Sequence, residues 1–372
     1  AYHRHGDRPF GMKLRDRLHH LYIIGQTGTG KSTLLRNLAR QDAVIGTGFC
    51  LIDPHGDLAE GLATQLESDV TAPVHHWRIA DPDCRFGYNP LAHVATEFRP
   101  LVTSGLIEAL RRQWEDAWGA RMEHLLRFAT LALLDRPGST LQDILPMFLN
   151  TKFRVEVLSH VTDPQVRHFW TVEYPGMNYK NAADGLAPIA NKLGAFLAHP
   201  LIRRAVCEPA EPLRFRRIMD EGGILIINLA TGRVGADNAN VLGGLVLSSM
   251  MNAAFSRYNV PEAQRRPFLL YVDEFHSFTT SAFAGMLSEV RKYGLAVTLS
   301  HQYILQADRE IFEAIMGNVG SLCAFRIGAI DAPLIAKQFH GVGERDLTAL
   351  GNYASFVQIM VDGVRTKPFS MR

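Results

Sequence analysis

Leu18-His-His-Leu-Tyr-Ile-Ile24 runs straight into Gly25-Gln-Thr-Gly-Thr-Gly-Lys31-Ser32. The second stretch fits G-x-x-x-x-G-K-[ST] in full. The first reads as an apolar strand. Lys31 to Arg40 places Leu34, Leu35 and Leu38 on one face, as a helix does. Strand, glycine loop and helix in that order predict a phosphate-binding turn. Gly25, Gly28 and Gly30 let the backbone fold so that its N–H groups point inward at phosphate oxygens, and the positive end of the following helix adds to them. Gly25, Thr27, Gly28, Thr29, Gly30, Lys31, Ser32 and Thr33 are the expected cradle for ATP. Lys31 is expected to reach the β- and γ-phosphates, and the Ser32 hydroxyl to hold Mg²⁺.

Outward from the loop, apolar runs alternate with helix patterns. Phe49 to Ile52 is a second strand, closed by the turn-rich Asp53-Pro-His-Gly-Asp57. Trp77 to Ala80 reads as a third. Strands return at Gly223–Leu229, Phe268–Val272, Leu295–Leu299, Ser321–Ile327 and Ser355–Val361. Helix patterns at Asn240–Phe255, Ala282–Tyr293, Ile311–Asn318 and Ala332–Phe339 separate them. This rhythm predicts an α/β fold with a mostly parallel, covered sheet. Between Ala95 and Pro212 helix patterns dominate instead: Leu101–Trp118, Met122–Leu134, a capping box at Thr140 with Asp143, and Ala182–Leu197. The expected organisation is therefore a nucleotide-binding domain at 1–94 and 213–372, interrupted by an inserted all-helical domain at 95–212.

Phe268-Leu-Leu-Tyr-Val-Asp-Glu274 supplies the second half of a hydrolytic site. A buried strand ends in two acids. Asp273, at the tip, is expected to hold Mg²⁺, and Glu274 to polarise the attacking water as a general base. Gln302 follows the strand Leu295–Leu299 and is placed to sense the γ-phosphate or orient water. Arg291 lies in the helix after the acids, where an arginine can act on a neighbouring subunit's site. Arg326, a charge inside an apolar strand run, is its rival for that role because it needs a partner.

Composition narrows the class without deciding it. The formal net charge of +2 neither demands nor excludes a polyanion, so DNA contact depends on local clusters such as Arg111-Arg112, Arg203-Arg204, Arg214 to Arg217 and Arg265-Arg266. Cys50, Cys84, Cys207 and Cys323 form no C-x-x-C pair, which suits a reducing compartment and small buried thiols. The most apolar long segment, Val241 to Phe255, is shorter than the roughly 20 residues that cross a bilayer. The chain opens at Ala1, which fits a processed or trimmed piece.

Five elements occur in order: the Gly25–Thr33 loop, Leu51-Ile-Asp-Pro-His-Gly-Asp-Leu58, Phe86-Gly-Tyr-Asn-Pro-Leu91, Asp273-Glu-Phe-His-Ser-Phe278 and Leu299-Ser-His-Gln302. Together they resemble the FtsK/HerA superfamily of DNA-pumping ATPases, and within it the conjugative coupling proteins of type IV secretion systems. The resemblance spans nearly the whole chain, although the helical block matches it by position more than by motif. It implies a RecA-like P-loop NTPase fold, a homo-hexameric ring with ATP at the interfaces, and DNA in the channel. Arg291 and Gln302 stand where that family has its trans-acting arginine and glutamine sensor. Asp53 lies in a family motif position near the nucleotide, or simply forms a turn with Pro54. The helical insertion resembles the domain that caps one face of the ring. A relaxase or secretion-channel proteins are the implied partners, and the cytoplasm, at the inner face of the membrane, the implied location.

Two departures accompany the likeness. With 24 residues ahead of Gly25, the β-barrel that opens HerA-type proteins is not expected in this chain. Nor is the membrane anchor of coupling proteins, so membrane contact is expected only through segments absent from it. Two other functions compete: a secretion ATPase that moves protein substrates, and a nucleotide-gated scaffold.

Overall fold

The computed structural model describes residues 9–372 apart from Thr71 and Asn178, with the side chains of 179–184 and Ser281 also left aside. Ala1, on which the expectation of a processed chain rests, lies outside the described residues.

Nine strands form the central sheet: β1 (Leu21–Ile24), β2 (Phe49–Asp53), β3 (Val74–Arg78), β4 (Ile224–Asn228), β5 (Phe268–Val272), β6 (Leu295–His301), β7 (Ser321–Ala324), β8 (Ser355–Gln358) and β9 (Phe369–Met371). Their order is β9-β8-β7-β1-β6-β5-β2-β4-β3. The pairs among β7, β1, β6, β5, β2 and β4 are parallel, while β8 runs antiparallel to both β7 and β9. The α/β class and the mostly parallel sheet expected from the sequence are what the chain adopts. β1, β2, β5 and β6 are buried along their whole length, so both faces need apolar side chains, and continuous apolar runs rather than alternation mark them.

Two crossover helices cover one face. In α1 (Lys31–Val44), Leu35, Ala39 and Ala43 recur every fourth residue and point at the sheet; in α2 (Asp57–Asp69), Leu58, Leu62 and Leu66 do the same. They meet alternate strand residues: Leu21 and Ile23, Phe49 and Leu51, Ile224 and Ile226, Leu269 and Tyr271. Helix period four against strand period two thus packs the core on this face of the sheet. Emptying one of these positions, Leu62→Ala for example, is expected to cost about 2–5 kcal/mol.

The chain divides into two compact units. One comprises 1–76, 216–228 and 253–372 and carries the sheet. The other comprises 77–215 and 229–252. The second unit is built mainly of helices, among them Arg99–Gln113, Ala120–Asp135, Thr151–His160 and Tyr179–Ala198. Phe128 stacks on Phe169 at 4.2 Å and Trp170 lies 5.3 Å from Phe148, an aromatic core next to a π-helical turn at Phe169–Glu173. Thr140 and Asp143 form the expected capping box, with Asp143 Oδ2 accepting from Thr140 N at 2.8 Å. The apolar segment is longer than the sequence suggests. Ala236–Asn259 is long and apolar enough to cross a membrane, but 72% of its most apolar window is buried inside the protein, as for a core helix.

Candidate functional site

Parallel pairing sets the site. Ile24 is in register with His301 and Ala324, and Ile52 with Val272. The residues at or just past these strand ends (Gly25, Asp53, Asp273, Gln302) therefore lie along one edge of the sheet, which is where open parallel sheets bind ligands.

The glycine loop has the form its sequence predicts. A Cβ on Gly25 would stand 2.5 Å from Phe325 Cβ, and Gly28 and Gly30 have φ of 75° and 120°. No larger residue fits the first position or adopts the last without strain. Thr29 is fully buried, and its Oγ1 donates to Gln26 O at 2.7 Å, closing the loop on itself. Lys31 Nζ donates to Gly25 O at 2.6 Å and Gln26 O at 3.3 Å, so the ammonium sits in the mouth of the loop. Burial lowers the pKa of Lys31, while Glu274 and Asp273 oppose the fall. Ser32 is exposed at the helix start, and Thr33 lies one position further on.

Asp273 is 5% exposed. Burial, then the nearby charges of Glu274 and Asp53, push its pKa up to about 6. Glu274 takes a left-handed φ of 45°, a conformation that non-glycine residues avoid and that recurs at functional sites. Its Oε1 accepts from Gln302 Nε2 at 2.9 Å, and its Oε2 lies 3.5 Å from His276 Nδ1. Gln302 Oε1 in turn accepts from Thr27 Oγ1 at 2.9 Å. One amide thus joins the glycine loop to the carboxylate. Sequence reading singled out Thr27, Glu274 and Gln302 but not His276, whose only signal is its place two residues after Glu274.

Asp53 makes a turn. Its Oδ1 accepts from His55 N and its Oδ2 from Ala59 N, both at 2.9 Å, which anchors the start of α2. His301 is buried and neutral: burial lowers its pKa to about 3, and its Nε2 pairs with the Tyr22 hydroxyl. Among the described residues no cluster of three or more His, Cys, Asp or Glu side chains is spaced to hold a metal alone. The donor set here, a carboxylate and a hydroxyl beside a phosphate loop, suits an ion that is otherwise coordinated by water and phosphate, as Mg²⁺ is.

The two candidate arginines part company. Arg326 stays at its own loop: its carbonyl accepts from Gln26 N at 2.8 Å, Nε donates to Gln26 Oε1 at 3.2 Å, and Nη1 to Leu350 O at 3.2 Å. Arg291 is exposed, and its Nη1 meets His19 Nδ1 at 2.9 Å. Arg291 precedes β6 and Gln302 follows it. Those seven residues span about 23 Å at the usual rise per strand residue. Arg291 therefore stands at the sheet edge opposite its own loop. Most of the paired arginines serve the fold. Arg265 and Arg266 donate to backbone carbonyls of Val260, Lys292, Glu221 and Gly46, Arg216 and Arg217 pair with Asp220 and Glu221, and Arg204 donates to the carbonyls of Asp81 and Pro82.

Comparison with known proteins agrees with this geometry. The family described as helicase HerA, central domain, matches residues 9–102. The bacterial conjugative coupling protein TrwBΔN70 superposes with a TM-score of 0.67 at 16% identity, covering 95% of this chain and 84% of that one. TrwB in complex with the ATP analogue ADPNP gives 0.67 at 18%, covering 96% and 85%. VirB4 of Thermoanaerobacter pseudethanolicus gives 0.62 at 13%, covering 93% and 87%. No curated protein matches the chain by sequence. Residues 9–102 match the helicase HerA central-domain family, and along almost its whole length the chain shares the fold of the conjugative coupling protein TrwB.

Proposed function

We propose that this protein is an ATP-hydrolysing ring motor that translocates DNA and delivers it to a conjugative or type IV secretion apparatus. The observation that carries the proposal is the Thr27–Gln302–Glu274 chain of hydrogen bonds at one sheet edge, with Arg291 displayed at the other. On this reading a neighbour's arginine would complete the site, and a ring of subunits would supply that neighbour.

The loop N–H groups and Lys31 would hold the phosphates. Ser32 and Asp273 would hold Mg²⁺, which neutralises charge on the phosphate oxygens when bound. Glu274 would take a proton from the attacking water as ATP and water become ADP and phosphate. Gln302, bonded to both loop and carboxylate, would register whether the γ-phosphate is present. Arg291 would stabilise the transition-state charge in the next subunit's site. DNA would be gripped through its phosphates, without reading sequence. A relaxase or secretion-channel protein would be the partner, at the cytoplasmic face of the membrane. The domains would be 1–94 with 213–372 for nucleotide and 95–212 for the helical cap.

A protein-moving secretion ATPase is the second reading, since one fold can serve either cargo and this fold is shared with VirB4 as well as TrwB. Sedimentation of Glu274→Gln with ATP, with and without DNA, separates the readings. The motor predicts a stable ATP-dependent ring that holds DNA. A ring indifferent to DNA supports protein transport. A variant that behaves as wild type in every respect supports a scaffold.

A further inference from the structure

A groove of about 920 Å³ opens at Gly30 and runs along α1, a volume within the range of small-molecule sites. Thr33, Asn37 and Gln41 line it from one face of α1, at successive fourth positions. Phe325 and Tyr353 line it from the ends of the neighbouring strands.

Tyr353 is the unusual member. Its φ is 62°, a left-handed conformation that is strained for a bulky residue. Its N–H donates to Thr29 O at 2.8 Å, which fixes that backbone against the glycine loop. A Cβ on Gly30 would come within 3.0 Å of Tyr353 Cδ1. The residue nevertheless remains 58% exposed. A strained backbone thus holds an open aromatic face beside the loop that is shaped for phosphate, at the mouth of a groove.

We propose that Tyr353 is the platform for the nucleobase: a purine stacks on its ring while the triphosphate occupies the loop. This base site presupposes the phosphate role of the loop and adds what is recognised beyond it. Stacking on an aromatic face tolerates any base and favours the larger ones. The side-chain amides of Asn37 and Gln41 both donate and accept, so they suit the adenine edge and the guanine edge alike. The groove therefore selects purine over pyrimidine without separating ATP from GTP.

Calorimetric titration of the full chain with ATP, GTP, CTP and inorganic tripolyphosphate tests this. Tyr353→Ala is expected to weaken ATP and GTP about 5- to 100-fold and to leave tripolyphosphate unchanged. Tyr353→Phe is expected to keep wild-type affinity, which also shows that the site folds without the hydroxyl. Unchanged ATP affinity in Tyr353→Ala overturns the base site. So does equal weakening of tripolyphosphate, which would make the residue a prop for the loop, or CTP binding as tight as ATP. Lys31→Ala is the separate control: it is expected to lose ATP and tripolyphosphate together. If it binds both like wild type, the loop reading fails, whatever Tyr353 does.

Discussion

Gln302 Nε2 donates to Glu274 Oε1 at 2.9 Å. The other end of the same amide accepts from Thr27 Oγ1, so this one side chain bonds to both the glycine loop and the carboxylate proposed to activate water. Gln302→Ala is expected to lower kcat about 10²- to 10³-fold, the range for a positioned polar group, with the Kd for ATP changed less than threefold. Steady-state turnover with parallel ATP titration checks the split. Loss of ATP binding in proportion to turnover would make Gln302 a binding residue instead.

Asp273 links stability to pH. Its folded pKa of about 6 lies above the ordinary carboxylate value, so the folded state favours the protonated form. Unfolding free energy therefore falls as pH rises from about 4 to about 6, by up to about 3 kcal/mol. Asp273→Asn removes that cost. Without nucleotide or metal, its Tm is expected to exceed the wild-type value at about pH 8 and to converge with it at about pH 4, while turnover is lost. Equal Tm at every pH contradicts the assignment.

His20 acts in the opposite sense. It is buried with φ 67°, its Nδ1 accepts from Val297 N at 3.1 Å, and its Nε2 meets Leu287 O at 3.0 Å. Burial lowers its pKa to about 4. The stabilisation is present above the unfolded value and is lost as pH falls toward 4, up to about 3 kcal/mol. Asn tolerates the left-handed backbone, so His20→Asn is expected to flatten the acid limb of a denaturation series. An unchanged limb assigns it to other groups.

Trans action by Arg291 is tested by mixing. Inactive Lys31→Ala subunits retain Arg291, and inactive Arg291→Ala subunits retain Lys31. Mixed rings are expected to regain turnover at interfaces that pair an intact loop with an intact arginine. No recovery in rings shown to mix would mean that Arg291 does not serve a neighbour's site.

The glycine loop, the acidic strand tip and most strands were legible because each depends on local sequence: positive-φ glycines, apolar runs, acids at a strand end. β1 was expected from Leu18 but starts at Leu21, because His20 turns left-handed to reach Leu287 and Val297. β3 lies at Val74–Arg78 rather than Trp77–Ala80. It is an edge strand, half exposed, and lacks the continuous apolar run that marks the buried ones. The strand expected at Ser321–Ile327 stops at Ala324 because Arg326 turns its carbonyl to Gln26 N. β9 is only three residues long, too short for any pattern. Tyr353 had no signal at all, since its importance comes from a backbone angle and a neighbour more than three hundred residues away in sequence.

The most direct test of the motor is ATP turnover by the purified chain, with and without DNA, beside Lys31→Ala and Arg291→Ala. A steep rise with DNA that both substitutions abolish is the expected result. A rate indifferent to DNA, in a chain shown to form rings, would contradict it.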